Sequence, residues 1–517
     1  MPVPQIPILG IGGDWRKPGA FSEIRFAQGA TSAGAGEREV VFVMPKLSTG
    51  TWTAAKLYRA TSESEVETGA GAGSPMHRAA RKFFQHNKDA KCWFLPVAET
   101  TGGSPIAATA TVTFTSTPAA TGVATVWICG ESCSFGYTSS DTVTTVAAGI
   151  KAAINAKPWL PVTADNSSGI LTVTAKLKGI SQGTASVPVI SVRAEVSAGT
   201  TITVASTGAV GTGVVGVEGT TTEAASTATA LAVIANTRKY YMVSSANDAT
   251  TLGHFKTHIV TKSEPRRGLR SVAIAAYPGT LAACTTIATG INYERLQIAW
   301  LENPDNDCAE IAGRMAAERQ KLESLDATFG LFDWRMDGLA NSFLNSDWPS
   351  DTEINDAIND GIAPIASTDA GPVLVMNLNT RSKNAAATQD DFRATECHRV
   401  SGADLFVDES DARWRLNYAN KKLEDDEILP TGSGPMAGKP NPNKTNRPGV
   451  IRPSHYKGSV KAHIREFYDR SHVQRLQEML DSVQCRKSGG RVETSLNFFT
   501  IDHALQRTLL VAESSEG

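Results

Sequence analysis

The chain has 517 residues, 41% of them hydrophobic and 20% charged, with seven cysteines and a formal net charge of −2 at pH 7. At roughly 150 residues per domain this length predicts about three domains, and the balanced charge argues against binding to nucleic acid or to an anionic membrane. The scattered cysteines favour neither a disulfide framework nor paired zinc ligands. The N-terminus lacks the basic and apolar runs of a signal peptide, and no apolar run reaches the ~20 residues that cross a bilayer. We therefore expect a soluble protein, folded in a cytoplasm and without membrane insertion.

The first hundred residues predict an arm followed by a β–α–β unit. Residues 1–38 are rich in Gly and Pro, which predicts an extended arm and a loop. Short strands are predicted at Glu39–Met44 and Thr53–Arg59. Ser74, which is followed by proline, is a good N-cap for the next helix. The apolar run Cys92–Val97 then predicts a buried strand.

A stretch with almost no charge comes next. Between Gly102 and Gly219 only ten residues are charged, and Thr, Ser, Ala, Val and Gly dominate; we call this stretch the low-charge segment. It is predicted to be mostly β, with one helix capped by Asp141 that runs to about Ala156. Because the sequence on both sides is well charged and of α/β type, the segment is predicted to be an insertion. Its predicted strands are Ala110–Thr115, Ala124–Cys129, Ile170–Leu177, Val187–Val192 and Thr200–Val204.

An α/β rhythm resumes after Ser226 and continues to about residue 390. Strands that alternate with helices predict a parallel or mostly parallel sheet with helices on its faces. The predicted strands are Lys239–Ser244, Arg270–Ala276, Arg295–Leu301 and Gly371–Asn379. The predicted helices are Ala249–Lys262, Gly279–Gly290, the strongly amphipathic Cys308–Leu322, and Asp351–Ile362.

The C-terminal part predicts helices followed by strands. A helix begins within Asp391–Val400, a loop rich in Pro, Gly and Lys covers Thr431–Val450, and apolar spacing predicts one long helix from Lys457 to Val483. Three basic residues recur every four positions on one face of this helix and form what we call the basic stripe: Lys457, Lys461 and Arg465. The last segment, Arg491–Glu513, alternates as strands that contain Leu496, Phe498, Leu509 and Val511.

Together these elements predict an α/β protein: a mostly parallel sheet body with a β-rich insertion domain, and an α+β C-terminal module that carries extended terminal arms. The predicted boundaries are 1–38 for the N-terminal arm and loop, 39–101 with 220–390 for the discontinuous body, 102–219 for the insertion and 391–517 for the C-terminal module.

Each sequence pattern that could indicate catalysis or metal binding lacks neighbouring residues or elements that this function requires. Gly179–Gly183 matches the G-x-S-x-G nucleophile elbow, but a strand-like run follows it where the elbow needs a helix. His254 and His258 have the spacing of two zinc ligands, yet the catalytic Glu and a third ligand are missing. Asp305–Asp307 begins like a calcium loop, but Glu310 stands where that loop requires Gly, so an acidic helix cap explains it better. We expect no catalytic residue, no cofactor and no metal site.

Short motifs outside the low-charge segment resemble those of a known protein family. In Arg16–Glu23 a basic residue, Pro-Gly and an aromatic residue precede a strand. Ser62–Val66 and Gly71–Met76 form an "S-x-x-E … G-x-G-S" unit before the next helix, and Gly361–Ile365 precedes the strand Val373–Asn379. These motifs and their order resemble the contractile-tail sheath proteins of Mu-like phages and related contractile injection systems. One departure is that the usual pair of threonines after the late strand is reduced to Asn379-Thr380.

The resemblance implies a structural subunit and not an enzyme. Sheath subunits form stacked six-fold rings, a helical homo-oligomer around a tail tube, and lend their terminal arms as added strands to neighbouring subunits. It also implies contacts with the tail tube protein and with baseplate and tail terminator proteins, a place in the virion tail and assembly in the host cytoplasm. The low-charge segment would lie on the outer surface and the basic stripe would face the tube. The residues implied for the inter-subunit arms are Arg16, Pro18, Gly19, Phe21, Leu496, Phe498, Leu509 and Val511.

Alternatives stay open at this point. A phage baseplate or adhesin protein built on a similar body is the second hypothesis, and an α/β enzyme is the third and weakest, since no nucleophile–base set survives. The basic stripe fits a solvated helix face as well as a tube contact, and both termini fit disordered ends as well as arms.

Overall fold

The structure, a computed structural model, describes residues 38–180, 189–197, 202–264, 267–340, 348–383, 388–391, 394–418, 421–426, 449–488 and 490–502. Strands and helices are numbered here in chain order. The strands are β1 (Val40–Pro45), β2 (Tyr58–Ala60), β3 (Cys92–Val97), β4 (Thr109–Thr115), β5 (Gly122–Ile128), β6 (Glu131–Tyr137), β7 (Val162–Ser167), β8 (Ile170–Ala175), β9 (Val192–Val196), β10 (Thr203–Ser206), β11 (Tyr241–Val243), β12 (Val272–Tyr277), β13 (Leu296–Trp300), β14 (Phe332–Arg335), β15 (Ala363–Thr368), β16 (Gly371–Met376), β17 (Lys422–Leu423), β18 (Val450–Ile451), β19 (Gln484–Ser488) and β20 (Arg491–Ser495). The helices are α1 (Glu63–Ala70), α2 (Pro75–His86), α3 (Val143–Asn155), α4 (Glu223–Val233), α5 (Ala249–Ser263), α6 (Leu281–Ile291), α7 (Cys308–Leu325), α8 (Asp351–Asn359), α9 (Cys397–Asn417), α10 (Pro453–Asp469) and α11 (Leu476–Ser482).

A nine-stranded sheet organises the larger part of the chain. Its strand order is β14-β16-β15-β13-β12-β11-β1-β3-β2. The six neighbours from β15 to β3 run parallel. At one edge β2 pairs antiparallel with β3, and at the other β16 pairs antiparallel with both β15 and β14. The predicted class, a mixed α/β protein with a large and mostly parallel sheet, is therefore confirmed.

Both faces of this sheet are covered, as continuous apolar strands require. All six residues of β1 are buried. Val40 and Phe42 pack into one core with α2 and α7, and the alternating neighbours Val41 and Val43 pack into a second core with α4, α5 and α6. The helix after Ser74 begins as predicted, because the Ser74 side chain accepts a hydrogen bond from the backbone N–H of His77 at 3.1 Å.

Helix α7 departs from its prediction. It was expected to be amphipathic, but most of its residues are buried, including charged ones. The charges pair within the protein: Arg319 donates to Glu323 at 2.8 Å. Neighbouring elements also supply partners, since Trp334 of β14 donates to Glu318 at 3.2 Å. The polar face of α7 is therefore covered by protein and does not lie in water.

The low-charge segment folds into two antiparallel sheets, β10-β4-β8-β7 and β6-β5-β9, with α3 packed against them. Strands β6 and β7 had not been predicted. The predicted cap Asp141 is wrong by one residue, because Thr142 caps α3 by accepting from the N–H of Thr145. Asp141 instead accepts a hydrogen bond from the N–H of Thr138 at 2.7 Å. The predicted strand Val187–Val192 is displaced to β9, and its first two residues lie outside the described part of the chain.

The C-terminal part has its own core, which we call the C-terminal core. The single predicted helix Lys457–Val483 is wrong: α10 ends at Asp469 and α11 begins at Leu476. Ser471 and Arg475 both have positive φ, at 61° and 55°, so the backbone turns there. The turn places Val473, between the two helices, in the C-terminal core. The buried members of this core are Phe406, Val460, Ile464, Phe467, Val473, Met479, Leu480 and Val483.

In the ranges that the structure describes, no helix combines the length and the apolar character needed to cross a bilayer. All seven cysteines are free thiols and six of them are buried.

Candidate interaction surfaces

Most of the residues implied for the inter-subunit arms lie outside the described residues. This applies to Arg16, Pro18, Gly19, Phe21, Leu509 and Val511. Leu496 and Phe498 are described, and both are partly buried against the C-terminal core of their own chain. The Phe498 ring lies 5.1 Å from the ring of Phe406 on α9.

The predicted strand through Leu496 and Phe498 is not formed. Strand β20 ends at Ser495, and the chain then runs beside the turn that follows α10. The N–H of Gln474 donates to the carbonyl of Phe499 at 3.0 Å, and the N–H of Ile501 donates to the carbonyl of His472 at 3.2 Å. After Ser495 the backbone thus forms hydrogen bonds with the 472–474 turn and not with β19. The β19–β20 hairpin therefore does not continue through Leu496 and Phe498, despite the alternating pattern.

The basic stripe lies on α10 beside the face that carries its buried residues. Val460, Ile464 and Phe467 face the C-terminal core. Lys457 and Lys461 are partly exposed and Arg465 is exposed. Within the described ranges, no hydrogen bond or salt bridge ties up these three basic groups. The stripe is thus a row of three positive charges, without an ion-pair partner among the described residues, along the border of the face that packs on the C-terminal core.

Helix α9 joins the C-terminal core to the large sheet, which the sequence did not predict. Parallel strands begin at the same edge of a sheet, and here several strands are preceded by a basic residue. Arg270 comes two positions before β12, and Arg295 comes one before β13. The arginines at this edge are Arg38, Arg238, Arg270 and Arg295.

Two acidic residues one turn apart on α9 receive Arg238, Arg270 and Arg295. Asp404 accepts a bidentate contact from Arg295, with nitrogen–oxygen distances of 2.5 and 2.8 Å. Asp408 accepts from Arg238 and from Arg270, each at 2.6 Å. We call these contacts the α9 clamp. Burial alone would raise the pKa of Asp404, but Arg295 and the other nearby arginines outweigh burial and hold the pKa below its usual value.

Another face of α9 binds α10. Glu409 lies 3.1 Å from His463 and accepts from Arg470 at 2.9 Å. Arg413 pairs with Glu466 at 3.2 Å. Burial lowers the pKa of His463 below its usual value, although Glu409 acts in the opposite direction. These contacts connect the helix that carries the basic stripe to the α9 clamp, and through it to the large sheet.

A second buried ionic cluster ties the low-charge segment to the rest of the chain. As predicted, the acidic residues before α7 cap it: Asp307 accepts from the N–H of Glu310 at 2.8 Å. Arg78 of α2 contacts Asp307 at 2.7 Å and Glu310 at 3.0 Å. Arg193 of β9 reaches Asp305 at 3.1 Å. Residues from the low-charge segment and from α2 thus meet on one helix N-terminus, whose dipole favours the acidic groups.

The weak catalytic patterns gain no support from their surroundings. His254 and His258 lie on α5 as predicted, and burial lowers the pKa of His258 to about 4. Among the described residues, no group of three or more His, Cys, Asp or Glu side chains is arranged to hold a metal ion. The G-x-S-x-G pattern lies mostly outside the described residues, since the structure describes nothing from Ser181 to Pro188.

Comparison with known proteins agrees with the motifs found in the sequence. No protein-family model matches the chain. Over 141 residues the chain is 30% identical to the tail sheath protein of the Mu-like prophage FluMu of Haemophilus influenzae; the match spans 27% of this chain and 28% of that relative. A sheath tail protein from Desulfitobacterium hafniense aligns with 12% identity and a TM-score of 0.48 over 95% of this chain and 97% of its own. One from Listeria innocua aligns with 13% identity and a TM-score of 0.43 over 91% and 98%. These TM-scores are too low to establish a shared fold, and the chain matches under a third of the length of the prophage relative. The resemblance to the tail sheath proteins of Mu-like phages, first indicated by the sequence motifs, is confirmed by the prophage relative.

Proposed function

We propose that this protein is the subunit of a contractile tail sheath. It polymerises as stacked hexameric rings around a tail tube, and the polymer contracts to drive the tube through a host envelope. The observation that carries the proposal is the 30% identity to a Mu-like prophage tail sheath protein. Its partners are copies of itself, the tail tube protein, and baseplate and tail terminator proteins; it assembles in the host cytoplasm and acts in the virion tail.

The proposed architecture has four parts, with the boundaries predicted from the sequence. A terminal arm (1–38) precedes the α/β body, the low-charge segment (102–219) decorates the outer surface, and a C-terminal module (391–517) faces the tube. The apolar core that the low-charge segment shares with the body supports a fixed decoration. Contacts between different faces of identical subunits do not close on themselves, so they propagate as a helical stack.

The pair β19–β20 is the proposed acceptor of a neighbour's arm. These strands form a two-stranded sheet in which, among the described residues, each strand pairs only with the other. An isolated hairpin of this size is marginal in water, and its free edges offer backbone groups to an added strand. Arg16, Pro18, Gly19 and Phe21 would belong to one donor arm, and Leu509 with Val511 to the other. Leu496 and Phe498 support the hairpin from the C-terminal core.

The basic stripe is proposed to meet an acidic surface of the tail tube in the extended state. Single exposed charge contacts contribute about 0–1 kcal/mol and are screened by salt. A row of them therefore grips the tube reversibly, which suits a sheath that has to slide.

Negative-stain electron microscopy of the purified full-length chain tests the proposal. We expect hollow cylinders of stacked rings in the absence of any tube, because the subunit carries both donor arms and acceptor sheet. A matched variant that lacks residues 1–37 keeps the described fold but loses one donor arm, and it should remain as discrete particles. Discrete particles from the full-length chain would refute the sheath role and favour the baseplate or adhesin alternative.

A further inference from the structure

Both ends of the described chain meet on one turn of α9. Near the N-terminal end, Arg38 donates to the carbonyl oxygen of Ser401 at 2.8 Å. At the C-terminal end, Asp502 accepts from Arg399 at 2.9 Å and from Gln474 at 2.8 Å. The described chain therefore begins and ends at neighbouring positions.

An apolar cavity lies at this meeting point. Its volume is about 480 Å³, and its walls include Val400 and Ala403 of α9 and the rings of Phe498 and Phe499. Cavities of several hundred Å³ that are mostly apolar with a few polar groups are typical of binding sites. Thr500, two residues before the described chain ends, also lines this cavity.

One polar atom at the cavity is unsatisfied. The Nε atom of Arg399, which is one of the lining residues, is buried and has no hydrogen-bond partner among the described residues. A buried donor without an acceptor is unfavourable, and a peptide carbonyl is a suitable acceptor. The cavity therefore suits an apolar side chain together with its own backbone.

The chain itself supplies such a segment close by. Asp502 is held at the rim, and the next residues are His503, Ala504 and Leu505. Because a residue spans at most about 3.6 Å, Leu505 lies within about 11 Å of Asp502. On the N-terminal side, Gly29–Gly36 contains only small residues, and the nearest large apolar side chain is Phe26, twelve positions before Arg38.

We propose that this cavity holds the segment that follows Asp502 in the same chain, with Leu505 as its apolar anchor. The C-terminal arm then leaves the subunit from a fixed root and not from a loose end. The purpose given to the arm rests on the proposed function, whereas the docking of Leu505 is a property of the single subunit. A short tether keeps the anchor at an effective concentration in the millimolar range, so docking does not depend on protein concentration.

Disulfide trapping tests this docking. The full-length variant Ala403→Cys/Leu505→Cys is oxidised mildly at micromolar concentration, as an equal mixture of unlabelled and ¹⁵N-labelled protein, and its cross-linked peptides are mapped by mass spectrometry. We expect a 403–505 cross-link within single chains, unchanged by tenfold dilution. The matched control is Leu416→Cys/Leu505→Cys: Leu416 is exposed on α9, and thirteen positions along the helix put it about 20 Å from Ala403. The trapped yield should exceed this control by about tenfold or more.

Two results would overturn the docking proposal. Cross-links between labelled and unlabelled chains would show that the cavity binds the C-terminal segment of another copy. A cross-linking yield equal to that of the Leu416 control would show that Leu505 does not dock in the cavity. The sheath role is read separately, from cylinders formed by the reduced double variant. Cylinders without the intramolecular cross-link would refute only the anchor, and the cross-link without cylinders would refute only the sheath role.

Discussion

The α9 clamp gives a sharp test of how the C-terminal core is attached to the sheet. In Asp404→Asn the side chain keeps its size and one acceptor oxygen but loses its charge. Arg295 then loses the carboxylate to which it donates two hydrogen bonds. Arg270, whose guanidinium lies 3.6 Å from Asp404, loses that charge as well and keeps Asp408. Tyr240, whose hydroxyl donates to Asp404 at 3.0 Å, loses a charged acceptor.

The burial of these groups sets the size of the effect. The side chains of Asp404 and Arg295 are 3% and 14% exposed. Removing one partner of a buried ion pair costs about 3–5 kcal/mol, and asparagine retains part of the contact, so we expect about 3 kcal/mol. Since 1.4 kcal/mol is a tenfold change in an equilibrium constant, α9 should open about a hundred times more often. Asp411→Asn is the matched control: Asp411 is 54% exposed and 3.6 Å from Arg270, which makes its contact worth about 0–1 kcal/mol.

Hydrogen exchange of unassembled subunits is the appropriate assay. A chain of 517 residues is too large for a two-state free energy of unfolding, whereas amide protection reports local opening. Peptides covering α9 in Asp404→Asn should lose about a hundredfold in protection, while those covering α5 on the far face should change little. Unchanged protection of α9 in a folded Asp404→Asn subunit, or an equal loss in Asp411→Asn, would refute the reasoning.

Three further perturbations follow from the same contacts. Lys461→Glu/Arg465→Glu should weaken assembly around isolated tubes and reduce its salt dependence, compared with Lys88→Glu on an exposed loop of the body; equal tube decoration by both variants in micrographs would exclude the stripe. Arg38→Ala removes the donor to Ser401 and the partner of Glu323 at 3.5 Å, so α9 protection should fall in this variant but not when residues 1–37 alone are deleted. Burial would raise the pKa of Asp326, but hydrogen bonds from His472 and Thr328 outweigh it and lower the pKa to about 2. Because the folded pKa lies below the ordinary 3.8, this contact stabilises above about pH 4 and is lost as the pH falls towards 2. Since the carboxylate is partly exposed, Asp326→Asn should cost about 1 kcal/mol at pH 5, which is about a fivefold loss of amide protection in peptides covering the 472–474 turn, and less at pH 2.

The elements that were predicted from sequence are those with local causes. Strand Cys92–Val97 was predicted residue for residue, because a strand buried on both faces is a continuous apolar run. The start of α2 was equally clear, since Ser74 and Pro75 are local helix signals. The acidic cap of α7 followed from the same kind of signal.

The features that were missed depend on distant residues. Arg295 and Asp404 are 109 positions apart and Arg238 and Asp408 are 170 apart, so no window of sequence contains the α9 clamp. The break between α10 and α11 contains neither Gly nor Pro. It arises because Val473 pairs with Thr500 and is buried in the C-terminal core. The burial of α7 likewise comes from elements that are remote in sequence, which local hydrophobic periodicity does not report.

The kind of contact on α9 bears on how the proposed sheath would move. A purely apolar interface fixes distance but tolerates sliding, whereas bidentate arginine–carboxylate pairs also fix direction. The basic stripe on α10 is linked through Glu409 and Arg413 to α9, and α9 is linked through Asp404 and Asp408 to the starts of the parallel strands. In the proposed sheath, a pull on α10 would therefore turn the large sheet with it, and the adjustment between two lattices would fall on the arms and not on the inside of the subunit. Rigid-body rearrangement of this type needs stiff subunits joined by flexible links. The α9 clamp would make the subunit stiff, and an arm anchored beside Arg399 would be the flexible link between subunits.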